Sequence, residues 1–92
     1  MYSEVRAMDE IREIVEYRDY GHIEISIDKL MKKKDISAYL MSNKSNIGYK
    51  TIKRLSDGGR VDRVDLDILA KICYMFDCDI CDFMRYVKPK RK

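Results

Sequence analysis

The side chains of this 92-residue chain best equipped for chemistry are cations and hydroxyls, and they crowd into its middle. Residues 29–63 carry Lys29, Lys32, Lys33, Lys34, Lys44, Lys50, Lys53, Arg54, Arg60 and Arg63 against only Asp35, Asp57 and Asp62. Ser37 and Thr51 add hydroxyls, and Tyr49 adds a ring with a phenol. Arg and Lys donate to the O6 and N7 of guanine. The same cations, with Ser and Thr, hold phosphate oxygens, which position a protein but carry no sequence information. Residues 1–28 are acidic, with Arg6, Arg12 and Arg18 set against Glu4, Asp9, Glu10, Glu13, Glu16, Asp19, Glu24 and Asp28. Residues 64–84 turn acidic again, and Arg85, Lys88, Lys90, Arg91 and Lys92 make a basic tail. A net charge of +3 hides this segregation. The pattern suits a polyanionic partner on one face, and it suits equally a solvated surface that keeps the chain dissolved.

Other chemistries find less support. Cys73, Cys78 and Cys81 make a C-x4-C-x2-C run, but zinc needs a fourth ligand, and His22 is the single histidine and far away in sequence. Cys73 falls on an apolar helical stripe, where cysteine serves as a small hydrophobe. The expectation is packing thiols and no metal or cofactor; a redox or metal sensor built on the three thiols stands as a rival. Asp28, Asp65 and Asp79 precede apolar runs and read as helix caps. No Ser/His/Asp or Cys/His arrangement, paired acids or phosphate-binding glycine loop is present, so no catalytic residues are assigned and the chain is not expected to be an enzyme. Gly58-Gly59 reads as a helix stop, and Met8, Met31, Met41, Met75 and Met84 read as core filler. No basic stretch with an apolar run opens the chain, and no apolar stretch nears the roughly 20 residues a bilayer requires. A cytoplasmic protein with reduced thiols is expected.

The elements that must position these groups are mostly helices. Val5, Met8, Ile11, Ile14 and Val15 recur at helical spacing, so residues 3–19 predict an amphipathic helix, capped by Ser3 and closed before Gly21. Its stripe needs a cover, from the domain body or a second subunit. His22-Ile23-Glu24-Ile25-Ser26-Ile27 alternates as a half-buried strand. One strand cannot satisfy its own backbone, so a partner near Arg85–Lys90 is expected. Asp28 should cap a helix over Lys29–Lys34 with Leu30 and Met31 inward, and Ser37 one over 38–43. A tight turn Lys44-Ser45-Asn46 should follow, then a helix over 48–56 with Ile52 and Leu55 buried. Asp65 should cap 66–76, whose Leu66, Leu69, Ala70, Ile72, Cys73 and Phe76 form one stripe. Asp79 should cap a last helix over 80–86, with Ile80, Phe83 and Met84 inward.

Residues 36–58 thus hold two short helices across a tight turn. Small Ser42 faces the crossing point, Asn46 tolerates the left-handed conformation, and Ile47, Ile52 and Leu55 lock the second helix onto the first. That is helix-turn-helix geometry. The stretch resembles the Cro and phage-repressor-like family, also called XRE, over about residues 27–84. The resemblance rests on Ile36-Ser37, Ile47-Gly48-Tyr49, Thr51-Ile52-Lys53-Arg54-Leu55, Asp65-Leu66, Leu69-Ala70-Lys71-Ile72-Cys73 and Asp77-Cys78-Asp79-Ile80. Ala38 stands where the family often has Gln or Lys, and so removes one phosphate contact. Leu40 stands where Glu is common, and is expected to touch another helix. Ser42 and Asn46 replace the usual Ala and Gly.

The resemblance implies that the helix starting at Gly48 enters the major groove. Gly48, Tyr49, Lys50 and Arg54 would then face base edges, while Ser37, Lys44, Thr51, Lys53 and Arg60 would meet phosphates. The fold expected is all-α: a five-helix repressor-like domain with an extra N-terminal helix and a minor β-element. Residues 1–21 form the N-terminal helix, a candidate dimerisation element; 22–88 form the DNA-binding domain; 89–92 form a basic tail. The function expected is sequence-selective binding of double-stranded DNA as a transcriptional regulator. A homodimer would present two recognition helices about 34 Å apart. No membrane is involved, and a regulatory protein partner is open. The alternative is a protein-interaction module, antitoxin-like, docking a partner through the same scaffold and helix 3–19.

Overall fold

The computed structural model describes residues 11–15 and 20–90. In order these form β1 (His22–Ile25), α1 (Asp28–Lys33), α2 (Ala38–Ser45), α3 (Tyr49–Asp57), α4 (Leu66–Phe76), a 3-10 turn (Ile80–Asp82) and β2 (Met84–Val87). The described domain is therefore mostly helical, with four α-helices and a two-stranded sheet rather than five helices.

β1 is braced on both sides. It pairs antiparallel with β2, His22 opposite Val87 and Ile25 opposite Met84. On its other edge the Ile25 N–H donates to Gly59 O (3.2 Å) and the Val61 N–H to Ile23 O (2.9 Å), with an isolated bridge between Glu24 and Arg60. The backbone groups of β1 thus find partners in the chain that follows α3 and in β2. Gly21 enters this arrangement at φ +80°, with Val87 O so near that a Cβ would collide with it and the Tyr86 ring in tight contact beside it. On the sheet surface His22 Nε2 lies 3.0 Å from Glu24 Oε2, and Arg85 Nη2 donates to Glu24 Oε1 at 2.8 Å. These partners, His22 first, hold the Glu24 carboxyl below its ordinary pKa.

The core lies between the helices and β1. Ile25, Ile27, Met41, Ile52, Leu55 and Ile72 are fully buried, and Met31, Ile47, Val61, Leu69, Phe76 and Phe83 complete the cluster. α1 caps at Ile27, so Asp28 is its first residue rather than its cap; its carboxylate meets Lys32 one turn on at 3.0 Å. α4 spans its expected residues with Asp65 at the cap, but its buried face is narrower than the sequence implied. Leu66 is 79% exposed and Ala70 is exposed, because only Leu69, Ile72 and Phe76 turn fully inward.

The expected helix over 80–86 is replaced by the 3-10 turn and β2. Phe83 is buried, but Ile80 faces solvent and Met84 is half-buried. The free edge of β1 outcompetes helical bonding here, with the Ser26 N–H donating to Phe83 O at 2.9 Å. The strand expected near Arg85–Lys90 is β2, shifted toward the N-terminus. Of the helix expected over 3–19, residues 3–10 and 16–19 lie outside the described residues. Residues 11–15 are not helical: a bend at Ile11 leads into irregular backbone, with Ile11, Ile14 and Val15 exposed. A short amphipathic helix is marginal in water without a surface to pack on. No helix among the described residues is long and apolar enough to cross a membrane.

Candidate nucleic-acid interface

The site is built around the α2–α3 junction. Ser37 caps α2, its Oγ accepting the Leu40 N–H at 3.1 Å. α2 runs two residues further than the sequence suggested, through Ser45, and stops at Asn46, which is left-handed at φ 61°. The Asn46 N–H still donates to Ser42 O at 3.0 Å. Asparagine adopts this conformation at lower cost than most residues.

Ile47 follows, with its side chain in the core, and its peptide groups must be satisfied locally. Two serines supply the partners: Ser42 Oγ donates to Ile47 O at 2.7 Å, and Ser45 Oγ accepts the Ile47 N–H at 3.1 Å. Sequence reasoning gave Ser42 a steric part and placed Ser45 in the turn; both are hydrogen-bonding hinges of the crossing. The signal was present in the serines flanking the α2 C-terminus, since Ser side chains habitually bond nearby backbone. Leu40, expected against another helix, is exposed, because the buried face of α2 is set by Met41 and Ser45.

Gly48 caps α3 at φ −58°, ψ 142°, with no side chain to occupy the first-turn N–H groups. A Cβ there would meet only Thr51 Oγ1 at 4.0 Å, so this backbone lies open to close approach. Ile52 and Leu55 anchor the helix in the core. At about 100° per residue, Lys50 then points nearly opposite that anchor, with Lys53 and Arg54 flanking it. Tyr49, Lys50, Lys53 and Arg54 are all exposed, and Thr51 is half-buried. The outward face of α3 meets no acidic residue before Asp57.

The remaining expected contacts lie on α2 and on the segment after α3. Ser37 and Lys44 lie near opposite ends of α2, about 10 Å apart along the axis. Arg60 stands on the bridge to Glu24, and its Nε donates to Asp62 Oδ1 at 3.1 Å. Arg54 carries an unforeseen bond, its Nη2 donating to Arg63 O at 3.2 Å. One of five guanidinium N–H donors is used this way. Arg63, exposed and unassigned by sequence reasoning, thus sits on a segment tied to α3. Its place in a basic run just after the Gly58-Gly59 stop was the available clue. Among the described residues no group of three His, Cys, Asp or Glu side chains is arranged to hold a metal ion.

A cap, a left-handed turn and an anchored second helix with a cationic outer face make a helix-turn-helix. Residues 26–89 match the family model for the Cro/C1-type HTH DNA-binding domain, and this match spans well over half of the chain. The chain belongs to the Cro/C1-type helix-turn-helix family. As a Cro/C1-type domain it carries a DNA-binding fold, and the expectation drawn from the α2–α3 motif is borne out. The domain is also similar to the crystal structure of the transcriptional regulator VanUg (Form II), with a TM-score of 0.57 and 21% identity, covering 86% of this chain and 100% of that one. At that identity the likeness is one of fold. Among curated proteins none matches the chain.

Proposed function

We propose that this Cro/C1-type protein is a transcriptional regulator that binds a short duplex operator selectively, with α3 in the major groove. The observation carrying the reading is the outer face of α3: Tyr49, Lys50, Lys53 and Arg54 exposed together on a helix that Ile52 and Leu55 hold rigidly. Gly48, Tyr49, Lys50 and Arg54 face base edges. Gly48 lets the backbone approach, Tyr49 lies against a thymine methyl, and Lys50 and Arg54 donate to guanine. Ser37, Lys44, Thr51, Lys53 and Arg60 hold phosphates on either side of the groove. The family's DNA-binding fold and the likeness to a transcriptional regulator support this reading.

One such helix reads only a few base pairs, so the working species is a homodimer in the cytoplasm. Residues 1–21 supply its contact, consistent with the exposed Ile11, Ile14 and Val15. Deleting residues 1–20 then shifts the sedimentation mass to monomer; an unchanged dimer places the contact elsewhere.

The test of DNA reading is fluorescence anisotropy on a random duplex and on a duplex selected from a randomised pool, at several salt concentrations. A Lys50→Glu/Arg54→Glu variant runs alongside. Tighter binding to the selected duplex, a steep loss with salt and no binding by the variant are expected. Failure of the folded wild type to enrich any sequence overturns the reading.

A further inference from the structure

The C-terminus of α4 brings two thiols together. Asp77 turns left-handed at φ 50°, and the Asp77 and Cys78 N–H groups both reach back to Cys73 O, the latter at 3.1 Å. This is the six-to-one closure of a Schellman motif, which sets the side chain two residues past the helix against one in its last turn. An apolar contact usually fills that position. Here Cys73 and Cys78 take those two places, both half-buried and packed against the core. Cys81 stands apart, exposed on the 3-10 turn. The backbone that ends α4 therefore selects one pair out of three thiols. DNA reading by α3 makes no use of it.

We propose that Cys73 and Cys78 are a site of reversible oxidation, closing an intramolecular disulfide on reaction with a peroxide. One thiol of the pair, as its thiolate, attacks hydrogen peroxide; the O–O bond breaks, leaving a sulfenic acid and hydroxide, which takes up the proton that thiol gave off and becomes the first water. The second thiol attacks the sulfenic sulfur; the S–O bond breaks, the S–S bond forms, and the thiol proton leaves in a second water. Two thiols are oxidised by two electrons, and one peroxide is reduced to two waters. A disulfide spans Cα atoms about 4.4–6.8 Å apart, and the Cys78 N–H bond to Cys73 O at 3.1 Å draws the two backbones together. Burial, with Cys73 and then Asp82 adding to it, pushes the Cys78 thiol up, which keeps its thiolate scarce and makes its oxidation slow at neutral pH.

The experiment treats the folded full chain with hydrogen peroxide, blocks free thiols with iodoacetamide, and maps the peptides by mass. The expected product has lost two hydrogens, links Cys73 to Cys78, alkylates only at Cys81, and reverts with dithiothreitol. Cys81→Ser forms the same closed species, whereas Cys73→Ser and Cys78→Ser do not. The same treatment in urea should scatter the pairing, since selection by the fold is then gone. Alkylation at all three cysteines after peroxide overturns the proposal. So does a dominant link through Cys81, within a chain or between chains. If Cys73→Ser or Cys78→Ser fails to fold, the wild-type and Cys81→Ser peptide maps decide alone.

Discussion

Replacing Arg54 by alanine separates the base contact proposed for it from the hydrogen bond it makes within the domain. Its outward position on α3 suits a bidentate contact to guanine, worth about 1–3 kcal/mol of discrimination. At about 1.4 kcal/mol per tenfold, Arg54→Ala weakens the selected site roughly 5- to 140-fold. The same guanidinium donates to Arg63 O at 3.2 Å, and both partners are exposed. Water can replace that bond, so the domain itself should lose less than about 1 kcal/mol, within or below the usual net value of a hydrogen bond. The assay is anisotropy on the selected duplex and on a scrambled duplex of equal length, with urea unfolding of the free protein. The selected site should weaken far more than the scrambled one, and the unfolding midpoint should barely move. Arg54→Lys should recover affinity for scrambled DNA but not selectivity, because lysine keeps the charge and loses the planar fork. Equal weakening on both duplexes would refute base reading by Arg54, and would leave it as an anchor of the segment after α3.

Lys53→Ala should weaken selected and scrambled duplexes alike and flatten the salt dependence by about 0.9 in the log–log slope; a loss confined to the selected site contradicts a phosphate role. Ser45→Ala should lower unfolding stability by about 1–3 kcal/mol, since it leaves the Ile47 N–H without its partner inside the helix crossing; an unchanged urea midpoint would show that the neighbouring backbone supplies another acceptor. The Glu24 carboxyl should titrate below its ordinary pKa in an NMR pH series. A depressed folded value means that Glu24 supports the sheet at neutral pH and loses that support as pH falls through its folded pKa. Arg85→Ala should raise the midpoint, and an ordinary wild-type midpoint would show that the cluster with His22 and Arg85 is absent in solution.

Much of the helix-turn-helix was legible because its signals are local. Ser37 announced a cap, Asn46 a left-handed stop, and Ile52 with Leu55 the buried side of α3; each is fixed within a few residues of itself. The C-terminal region was not legible for the opposite reason. Ile80, Phe83 and Met84 sit at helical spacing, yet Phe83 O accepts from Ser26 and Met84 faces Ile25 across the sheet. A residue some sixty positions away decides that conformation, and no local pattern carries the information. Leu66 and Ala70 failed differently: apolar residues at helical spacing need not all be inside, because folded surfaces remain substantially apolar.

The two-stranded sheet, the least helical part of the domain, sets how firmly α3 is held. At its start α3 is fixed by the turn whose peptide groups Ser42 and Ser45 satisfy. At its end Leu55 O accepts the Ile27 N–H at 3.2 Å, so the chain leaving β1 is bonded to the last turn of the helix. The segment past Gly58 then returns along β1 through Gly59 and Val61, carrying Arg60 and the carbonyl that Arg54 holds. β1 is in turn kept in place by β2. A reading helix must present its side chains within a fraction of an ångström and a few degrees of a productive geometry. Hydrogen bonds at both ends meet that demand better than side-chain packing alone: two serine hydroxyls fix the turn at the start, and a backbone bond, with no rotamers to lose, fixes the end. The minor sheet is thus the brace that gives the cations of α3 a fixed direction.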